Sequence, residues 1–424
     1  MKKQFVLAFL PLIALSACSS EPVAIKPIYE EKVINHPKKT QNNEYQLLND
    51  DYLKSVQAFA ADYLALDTSN ENKIFSPVSI ATCFSMLYEG AEGNTKTQLE
   101  KVFHYSNLFT PKEEIKKMLL NSAISDKKDD IYLDIAQSLW LIGQDAVKED
   151  YVKTLTDYYF AELFEENLTS YDSLKPLTNW LNVKTNNFLN VQESELTDFV
   201  DPNAVMWLFN TVYLKSKWVY AFEEKGNKIE PFTNIDGQES TVVYMRRYDK
   251  ENYFRYYTDD DFEICSIPFK KGMNIQILLP NEGTNYSDIV KSKESIQTLL
   301  NWNYLTKKSA HFDLKIPKWD IKQKSNLIGN IAALGAEDLF NDGCNLKGIR
   351  EQNDLYISAA QHCARLKIDN NGVEAAAYTG IEGTTKAMPP ETPRRFFVTR
   401  PFLYSVTDSY GLPLFVGANY SLTA

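Results

Sequence analysis

The segment Phe75-Ser76-Pro77-Val78-Ser79-Ile80 marks the start of a helix. Ser76 is a residue type that favours the position before a helix, and Pro77 suits the first helical position because its missing N–H would have no partner there. Apolar residues at helical spacing over 48–66 predict a helix before this one. Thr95, with Gln three positions later, predicts a third helix that begins with a capping box. Three helices therefore lead the chain.

The later sequence is dominated by strand patterns, which helical stretches at 174–188 and 325–334 interrupt. Leading helices followed by many strands predict a single mixed α+β domain with large sheets, and no internal repeat or linker-like boundary divides it. The predicted strands are 131–141, 204–214, 241–244, 263–268, 274–279, 310–316, 364–368, 402–406 and 412–417.

The composition is that of a folded, acidic chain without the motifs of common enzymes. Of its 424 residues 44% are hydrophobic, which supports a large core, and the net charge is −11. No cluster of Lys and Arg suits nucleic-acid binding. Four scattered histidines, five scattered cysteines and the lack of hydrolase, nucleotide and dinucleotide motifs predict no metal, no cofactor and no disulfide framework. The chain is therefore not expected to be an enzyme.

The first residues predict export. Lys2 and Lys3 precede an apolar run over 5–15 that is too short to cross a bilayer, and Leu15-Ser16-Ala17-Cys18 supplies a small-residue cleavage site. This site resembles the bacterial lipobox, whose Cys becomes lipidated; an ordinary cleaved signal is the alternative. We expect a lipoprotein signal peptide at 1–17, a polar tether at 18–44 and a folded domain at 45–424. The lipid on Cys18 would anchor the protein in the bacterial cell envelope, with the outer membrane as the expected location.

Seven segments spread along the chain have a distinctive sequence. They are 75–80 with 86–95 (FSPVSI…ML…GAEGNT), 209–218 (FNTVYLKSKW), 278–280 (LLP), 316–319 (IPKW), 334–340 (LGAEDLF), 362–369 (HCA…ID) and 400–404 (RPFLY). In order and spacing these segments resemble those of the serpin family. The resemblance implies the serpin fold, with three β-sheets, eight or nine helices and an exposed reactive-centre loop.

The segment 372–379 carries the expected chemistry. Its small residues could slide between two strands without overpacking a core, although the same composition also suits a helix. If the segment is a strand, Val373, Ala375, Ala377, Thr379, Ile381 and Gly383 share one face, and Glu374, Ala376, Tyr378 and Glu382 share the other. The segment resembles the serpin hinge, whose residues here are Gly372, Val373, Glu374, Ala375, Ala376, Ala377, Tyr378 and Thr379.

The resemblance also implies a cleaved bond fourteen residues past the hinge Gly, between Lys386 and Ala387. Lys at this position suits a trypsin-like serine protease, whose acidic pocket accepts the ammonium group. Thr385, or a neighbouring bond, is the main competitor. Cleavage at Arg394 or Arg395 would leave too long a strand for the usual insertion.

The family's gate region, which controls the opening of the main sheet, maps onto five residues. They are Ser76, Ser79, Asn210, Trp218 and His362. The alternative is that they are satisfied polar groups and an aromatic ring of an ordinary core. Three departures from the family pattern stand out: Val373 for Thr or Ser, Asn370 for Glu, and an apparent insertion of about four residues at Thr392–Arg395 that extends the loop or contacts the protease.

The implied function is suicide-substrate inhibition of serine proteases of trypsin-like or broader specificity. The loop would be cleaved, the protease held as a covalent acyl-enzyme, and the loop inserted into the main sheet. A non-inhibitory serpin that acts as a binding or structural module is the alternative. We expect a monomer that binds the membrane through its lipid and binds no nucleic acid.

Overall fold

Nine α-helices lie in the described part of the chain. The computed structural model describes residues 33–35, 45–142, 147–166, 168, 170–352, 354–373 and 392–423. The helices are α1 (Asp50–Ala65), α2 (Pro77–Tyr88), α3 (Gly93–Val102), α4 (Pro111–Asn121), α5 (Glu149–Tyr159), α6 (Lys175–Lys184), α7 (Tyr286–Val290), α8 (Lys293–Leu300) and α9 (Ile328–Ala333).

The helix start at Ser76 is confirmed, whereas the capping box at Thr95 is wrong. Ser76 caps α2, since its hydroxyl accepts a 3.3 Å hydrogen bond from the N–H of Ser79. α3 already begins at Gly93, and its two supposed capping residues bind another segment instead. The Thr95 hydroxyl accepts from the N–H of Asn345, and the Gln98 amide oxygen accepts from that of Asp338. The side chains of Thr95 and Gln98 therefore make tertiary hydrogen bonds instead of the capping bonds that the local pattern predicted.

Three β-sheets contain the described strands, which confirms the expected number. The strands are β1 (Val33–Asn35), β2 (Lys73–Phe75), β3 (Ile124–Asp126), β4 (Ile131–Leu141), β5 (Glu162–Glu165), β6 (Met206–Lys217), β7 (Lys228–Thr233), β8 (Glu239–Tyr248), β9 (Phe254–Thr258), β10 (Phe262–Pro268), β11 (Asn274–Pro280), β12 (Lys308–Ala310), β13 (Phe312–Pro317), β14 (Trp319–Asn326), β15 (Gln361–Asp369), β16 (Gly372–Val373), β17 (Arg394–Phe397), β18 (Phe402–Thr407) and β19 (Pro413–Asn419).

The large sheet runs in the order β1-β5-β4-β6-β16-β15-β14, with β3 paired to β4. The second sheet is β12-β9-β10-β11-β18-β19-β2, and the third is β17-β13-β8-β7. The large sheet differs from the sequence analysis in several places: β3, β5 and residues 319–324 of β14 were not predicted as strands. Residues 325–326, predicted as helix, end β14, and residues 33–35 of the expected tether form edge strand β1, which pairs with β5.

The large sheet is covered on both faces, and β6 shows this in its alternation. Trp207 and Phe209 belong to the smaller apolar cluster, which includes Trp180 of α6. Leu208 and Leu214 contribute to the main core on the opposite face. Because successive side chains of a strand point to opposite faces, a strand that joins this sheet needs small or apolar side chains on its core face.

No helix among the described residues is long and apolar enough to cross a bilayer. The predicted signal peptide and Cys18 lie outside the described residues.

Candidate functional site

The short strand β16 joins the large sheet between β6 and β15. Gly372 pairs with Lys217 on one side and Asp369 on the other, and Val373 pairs with Ser216 and Ile368. The side chain of Val373 is 1% exposed and belongs to the main core. The first two hinge residues therefore already occupy strand positions, and Val373 faces inward, as the strand pattern predicted.

Gly372 is required by its backbone and by its surroundings. Its φ is +138°, a conformation that residues with a side chain rarely adopt. A Cβ atom at this position would lie 2.1 Å from the carbonyl oxygen of Ser216, which belongs to the neighbouring strand. No side chain fits between the two backbones, so the hinge depends on glycine here.

Trp218 closes the top of the site, next to β16. Its indole Nε1 donates a 2.8 Å hydrogen bond to the carbonyl oxygen of Asp369, and its backbone N–H donates to that of Asn371. The ring stacks on Phe269 with 4.3 Å between centroids. Trp218 thus ties the end of β6 to the turn from which the hinge begins, and it lies apart from the other four gate residues.

Asn370, one of the three departures, has a local explanation. It is 3% exposed, and its Nδ2 donates to the carbonyl oxygen of Phe222 and to Oδ1 of Asn227. Asn227 in turn donates from its Nδ2 to Oδ1 of Asn370 at 3.0 Å. This reciprocal pair needs a side chain that both donates and accepts, which a carboxylate cannot do. A neutral amide therefore replaces an ion pair at the base of the loop.

Ser76, Ser79, Asn210 and His362 form one hydrogen-bonded chain. The N–H of Ser76 donates to Nε2 of His362 at 3.0 Å, and the Ser76 hydroxyl accepts from the N–H of Ser79. The Ser79 hydroxyl donates to Oδ1 of Asn210. The chain thus links α2 with both β6 and β15. Burial lowers the pKa of His362 to about 4, so its ring is neutral at pH 7 and Nε2 is free to accept.

Two polar groups beside this chain lack a partner among the described residues. Nδ2 of Asn210 and Oγ1 of Thr211 are both buried and make no hydrogen bond there. An unmade hydrogen bond of a buried group costs about 1–3 kcal/mol. Both groups belong to consecutive residues of β6, so the large sheet has unmade side-chain hydrogen bonds at this place.

Two cavities continue the line of β16 between the strands. One, of about 70 Å³, is lined by residues 208–211 and 361–363, together with Ser79 of α2 below the sheet and Leu181 of α6 above it. The other, of about 150 Å³, is lined by residues 203–208 and 354–361. We call this space, between residues 203–211 and 354–363, the strand gap. It reaches both faces of the sheet at Asn210 and Thr211.

The expectation that the segment Thr392–Arg395 extends the loop is wrong for its two arginines. Arg394 and Arg395 open β17, which pairs in parallel with β13, so they are sheet residues and do not extend the loop. Arg394 also forms an ion pair with Glu263 of β10, with 3.0 Å between nitrogen and oxygen. Sequence reasoning missed Glu263, because 131 positions separate the partners and no local pattern connects them.

The remaining hinge residues, 374–379, and the expected cleaved bond Lys386–Ala387 lie outside the described residues. Within the described part of the chain, no group of three His, Cys, Asp or Glu residues could hold a metal ion. The cysteines there are free thiols, and burial raises the pKa of Cys83 to about 12 and that of Cys344 to about 11. These thiols are therefore unreactive at neutral pH.

Comparisons with known proteins agree with this geometry. An uncharacterized serpin-like protein of Methanosarcina acetivorans is 28% identical over 87% of this chain and 85% of its own. Leukocyte elastase inhibitor A of Mus musculus is 27% identical over 79% and 89%, respectively. The structure of the thermophilic serpin Tengpin in its native state superposes with a TM-score of 0.74 at 22% identity, over 92% of this chain and all of that chain. The fold is thereby confirmed as the serpin fold.

A family model described as Serpin (serine protease inhibitor) matches residues 54–422. The match covers most of the chain, including the hinge, the gate region and the strand gap. Proteins of this family are in general inhibitors of proteases rather than catalysts. This chain belongs to the serpin family.

Proposed function

We propose that this protein inhibits trypsin-like serine proteases as a suicide substrate, by inserting its cleaved loop into the strand gap. The observation that carries the proposal is the position of β16, whose two residues pair with β6 and β15 at the top of that gap. Both cavities lie on the continuation of β16, and the unpaired polar groups of Asn210 and Thr211 belong to residues that line the smaller one. A strand added there would fill space and supply partners.

Continuing the register of β16 gives each hinge residue defined neighbours. On the core face of the inserted strand, Ala375 would come between Leu214 and Leu366, and Ala377 between Val212 and Ala364. These positions are bordered by apolar side chains of the main core, where methyl groups fit and larger side chains would overpack. The small residues of the hinge therefore match the space that the register assigns to them.

The same register brings Thr379 between Asn210 and His362. Its hydroxyl would then lie beside the unpaired Nδ2 of Asn210 and could accept its hydrogen bond. Insertion would thus satisfy a buried group that the gate leaves unpaired. This gives the gate residues a role beyond packing, because the hydrogen-bonded chain has to exchange partners when the strand passes.

On the outer face, the register pairs Glu374 with two lysines, Lys215 and Lys367. Lys215 now binds Asp130 at 2.9 Å, and Lys367 binds Asp369 at 3.4 Å. A carboxylate placed between them would be attracted to both ammonium groups. The charged face of the hinge strand is therefore matched as well as its apolar face.

The reaction begins as ordinary proteolysis. The Ser hydroxyl of the protease attacks the carbonyl carbon of Lys386, the C–N bond to Ala387 breaks, and the Ala387 amine leaves with the proton. Residues 374–386 can then follow β16 into the gap, which gives a strand over 372–386 of about 50 Å, at about 3.3 Å per residue. About ten new ladder hydrogen bonds at about 1 kcal/mol net each favour insertion, which drags the acylated protease across the sheet before water can release it.

Two features support Lys386 as the cleaved residue. If the inserted strand kept the register of β16, Lys386 would lie beside Asn203 and Leu355, at the far end of the strand gap, so the length of the gap would match a strand that ends there. Arg394, the other basic candidate, is held in β17 by the backbone of β13 and by Glu263. A protease needs an extended, accessible segment, which a paired strand does not offer.

We further propose that the protein acts at the bacterial cell envelope, as a monomer anchored through a lipid on Cys18. The lipobox-like segment Leu15-Ser16-Ala17-Cys18 supports this location. A polar tether after Cys18 would hold the inhibitory domain clear of the bilayer, where proteases can reach the loop.

The test is the reaction of the intact protein with trypsin. We expect a complex that survives boiling in SDS. We also expect a released peptide that begins at Ala387, which mass spectrometry would identify by its mass. Protein clipped in the loop by a non-target protease should melt at a higher temperature than the intact protein, because insertion adds a strand. Clean hydrolysis without a complex, together with unchanged melting after the cut, would favour a non-inhibitory binding or structural role.

A further inference from the structure

The larger cavity of the strand gap has the properties of a small-molecule site. Its volume is about 150 Å³. Phe84 and Leu87 of α2 form its floor and are 3% and 5% exposed. Leu208, Leu327 and Leu346 add aliphatic walls. A cavity of this size and lining offers dispersion contacts to a flat, compact molecule on several sides.

Three polar side chains around this cavity, those of Asp201, Asp354 and Gln361, already have partners. Oδ1 of Asp201 accepts a 2.9 Å hydrogen bond from the N–H of Asn203, and the Gln361 amide donates to Asp198. Asp354 lies 3.7 Å from Nε of Arg350. The carboxylates of Asp201 and Asp354 also border the cavity, and they would repel an anion. The two carboxylates thus disfavour an anion, and the aromatic and aliphatic lining favours an apolar ligand without charge.

We propose that this cavity binds a compact uncharged aromatic molecule of about six to nine non-hydrogen atoms, and that the bound molecule blocks loop insertion. An apolar cavity of about this volume in another protein binds benzene, which sets the scale. Burial of the ring against leucine and phenylalanine side chains provides the driving force.

The second half of the proposal rests on the proposed function. The register assigns residues 381–386 to the space between the walls of this cavity, with Ile381 between Leu208 and Ala360. A ligand and the inserted strand would therefore exclude each other. At about ten times its dissociation constant, a ligand leaves only about one cavity in eleven empty. Because insertion is then slower, a larger fraction of the acyl-enzyme is hydrolysed before the strand inserts. The inhibitor is thereby consumed as a substrate.

Indole is the probe for this site, and benzoate, an anion of similar size, is its control. In equilibrium dialysis we expect one indole bound per intact protein and at least tenfold weaker binding of benzoate. Protein clipped in the loop should bind indole at least tenfold more weakly than intact protein, because the strand then fills the cavity. With trypsin, saturating indole should lower the yield of the SDS-stable complex and raise the yield of clipped protein.

A matched pair of variants separates the cavity from general effects on the fold. Leu87→Phe adds a ring to the cavity floor and should abolish indole binding. Leu119→Phe makes the same change in the buried face of α4, away from the cavity, and should leave indole binding intact. If Leu87→Phe does not fold, the comparison of intact with clipped wild-type protein makes the same test.

No indole bound by intact protein, or equal binding by the Leu87→Phe and Leu119→Phe variants, would overturn the binding site. Indole binding that leaves the yield of complex unchanged would overturn the block on insertion. Failure of the proposed function looks different, because trypsin would then form no complex even without indole, while dialysis would still report on the cavity.

Discussion

The backbone N–H of Ser76 donates a 3.0 Å hydrogen bond to Nε2 of His362, 286 positions along the chain. This bond joins the cap of α2 to β15 at the edge of the strand gap, and it exists only while the imidazole is neutral at Nε2. Protonation of this single buried side chain would therefore break the bond that joins α2 to β15.

His362 should make the protein less stable in acid. Its folded-state pKa is about 4, below the ordinary value of 6.5, so its contribution is fully present above pH 6.5 and is lost as the pH falls through about 4. A shift of this size corresponds to a loss on the order of 3 kcal/mol in the free energy of unfolding. Urea unfolding at a series of pH values measures it.

The variant His362→Gln keeps an acceptor but cannot be protonated in this range, so its free energy of unfolding should vary less between pH 7 and pH 4. His104→Gln changes an exposed histidine and serves as the control. Equal pH dependence of the wild type and His362→Gln would contradict the assignment.

Gly372→Ala should disrupt the top of the strand gap. The new Cβ would lie 2.1 Å from the carbonyl oxygen of Ser216, at a φ of +138°. We expect a loss of about 2 kcal/mol or more in the free energy of unfolding and a lower yield of the trypsin complex, since β16 could no longer pair.

Gly283→Ala is the matched control for that change. Gly283 also has a positive φ, +87°, but nothing lies within 4 Å of its added Cβ. This variant should lose about 1 kcal/mol from backbone strain alone and should keep its full yield of complex. Similar complex yields for both variants would show that the close approach at Gly372 is irrelevant to trapping.

The parts of this site that follow from local pattern could be predicted from the sequence. Ser76 before Pro77 predicted the start of α2, and the alternation of the hinge predicted Val373 on the core face, because both depend on neighbouring residues only.

Strand β14 was not predicted correctly. Its first six residues were not predicted as a strand, and its last two were predicted as helix. Its alternating side chains, such as Lys322 and Lys324, are polar, as expected for a strand at the edge of the sheet.

Contacts between distant segments could not be predicted in this way. Thr95 and Gln98 had the spacing of a capping box, but both accept hydrogen bonds from a segment some 240 positions later. The pair of Asn370 with Asn227 and that of Arg394 with Glu263 likewise depend on which strands become neighbours. One sequence shows that the residue types are present, while only the fold shows that they meet.

The two faces of the hinge should respond oppositely to charge. Ala377→Glu would place a carboxylate on the core face between Val212 and Ala364, where burial without a partner is costly. Ala376→Glu would place it on the outer face beside Arg365, which already binds Asp320 at 2.7 Å. We expect Ala377→Glu to be cleaved by trypsin with almost no complex and Ala376→Glu to keep most of its complex. Equal yields would mean that the register of β16 does not continue.

Glu263→Gln should expose a second cleavage site. Burial is the main cause that raises the pKa of Glu263, and the nearby Arg394 guanidinium partly offsets it, so the ion pair holds a largely buried carboxylate. The Gln amide oxygen can still accept a hydrogen bond, but the charge attraction is lost, so β17 is held mainly by its backbone pairing and by the ring contact of Arg394 to Tyr256. The strand should then separate from β13 more often and become accessible to a protease. Trypsin should then cut after Arg394 as well, which mass spectrometry of the released peptides would detect.

The control for this variant is Glu282→Gln, whose carboxylate is exposed and lies 3.9 Å from Arg400. It should leave the digestion pattern unchanged. Because a cut after Arg394 frees a segment longer than the strand gap, we also expect molecules cut only there to form no stable complex. A stable complex acylated at Arg394 would mean that the length of the gap does not select the cleaved bond.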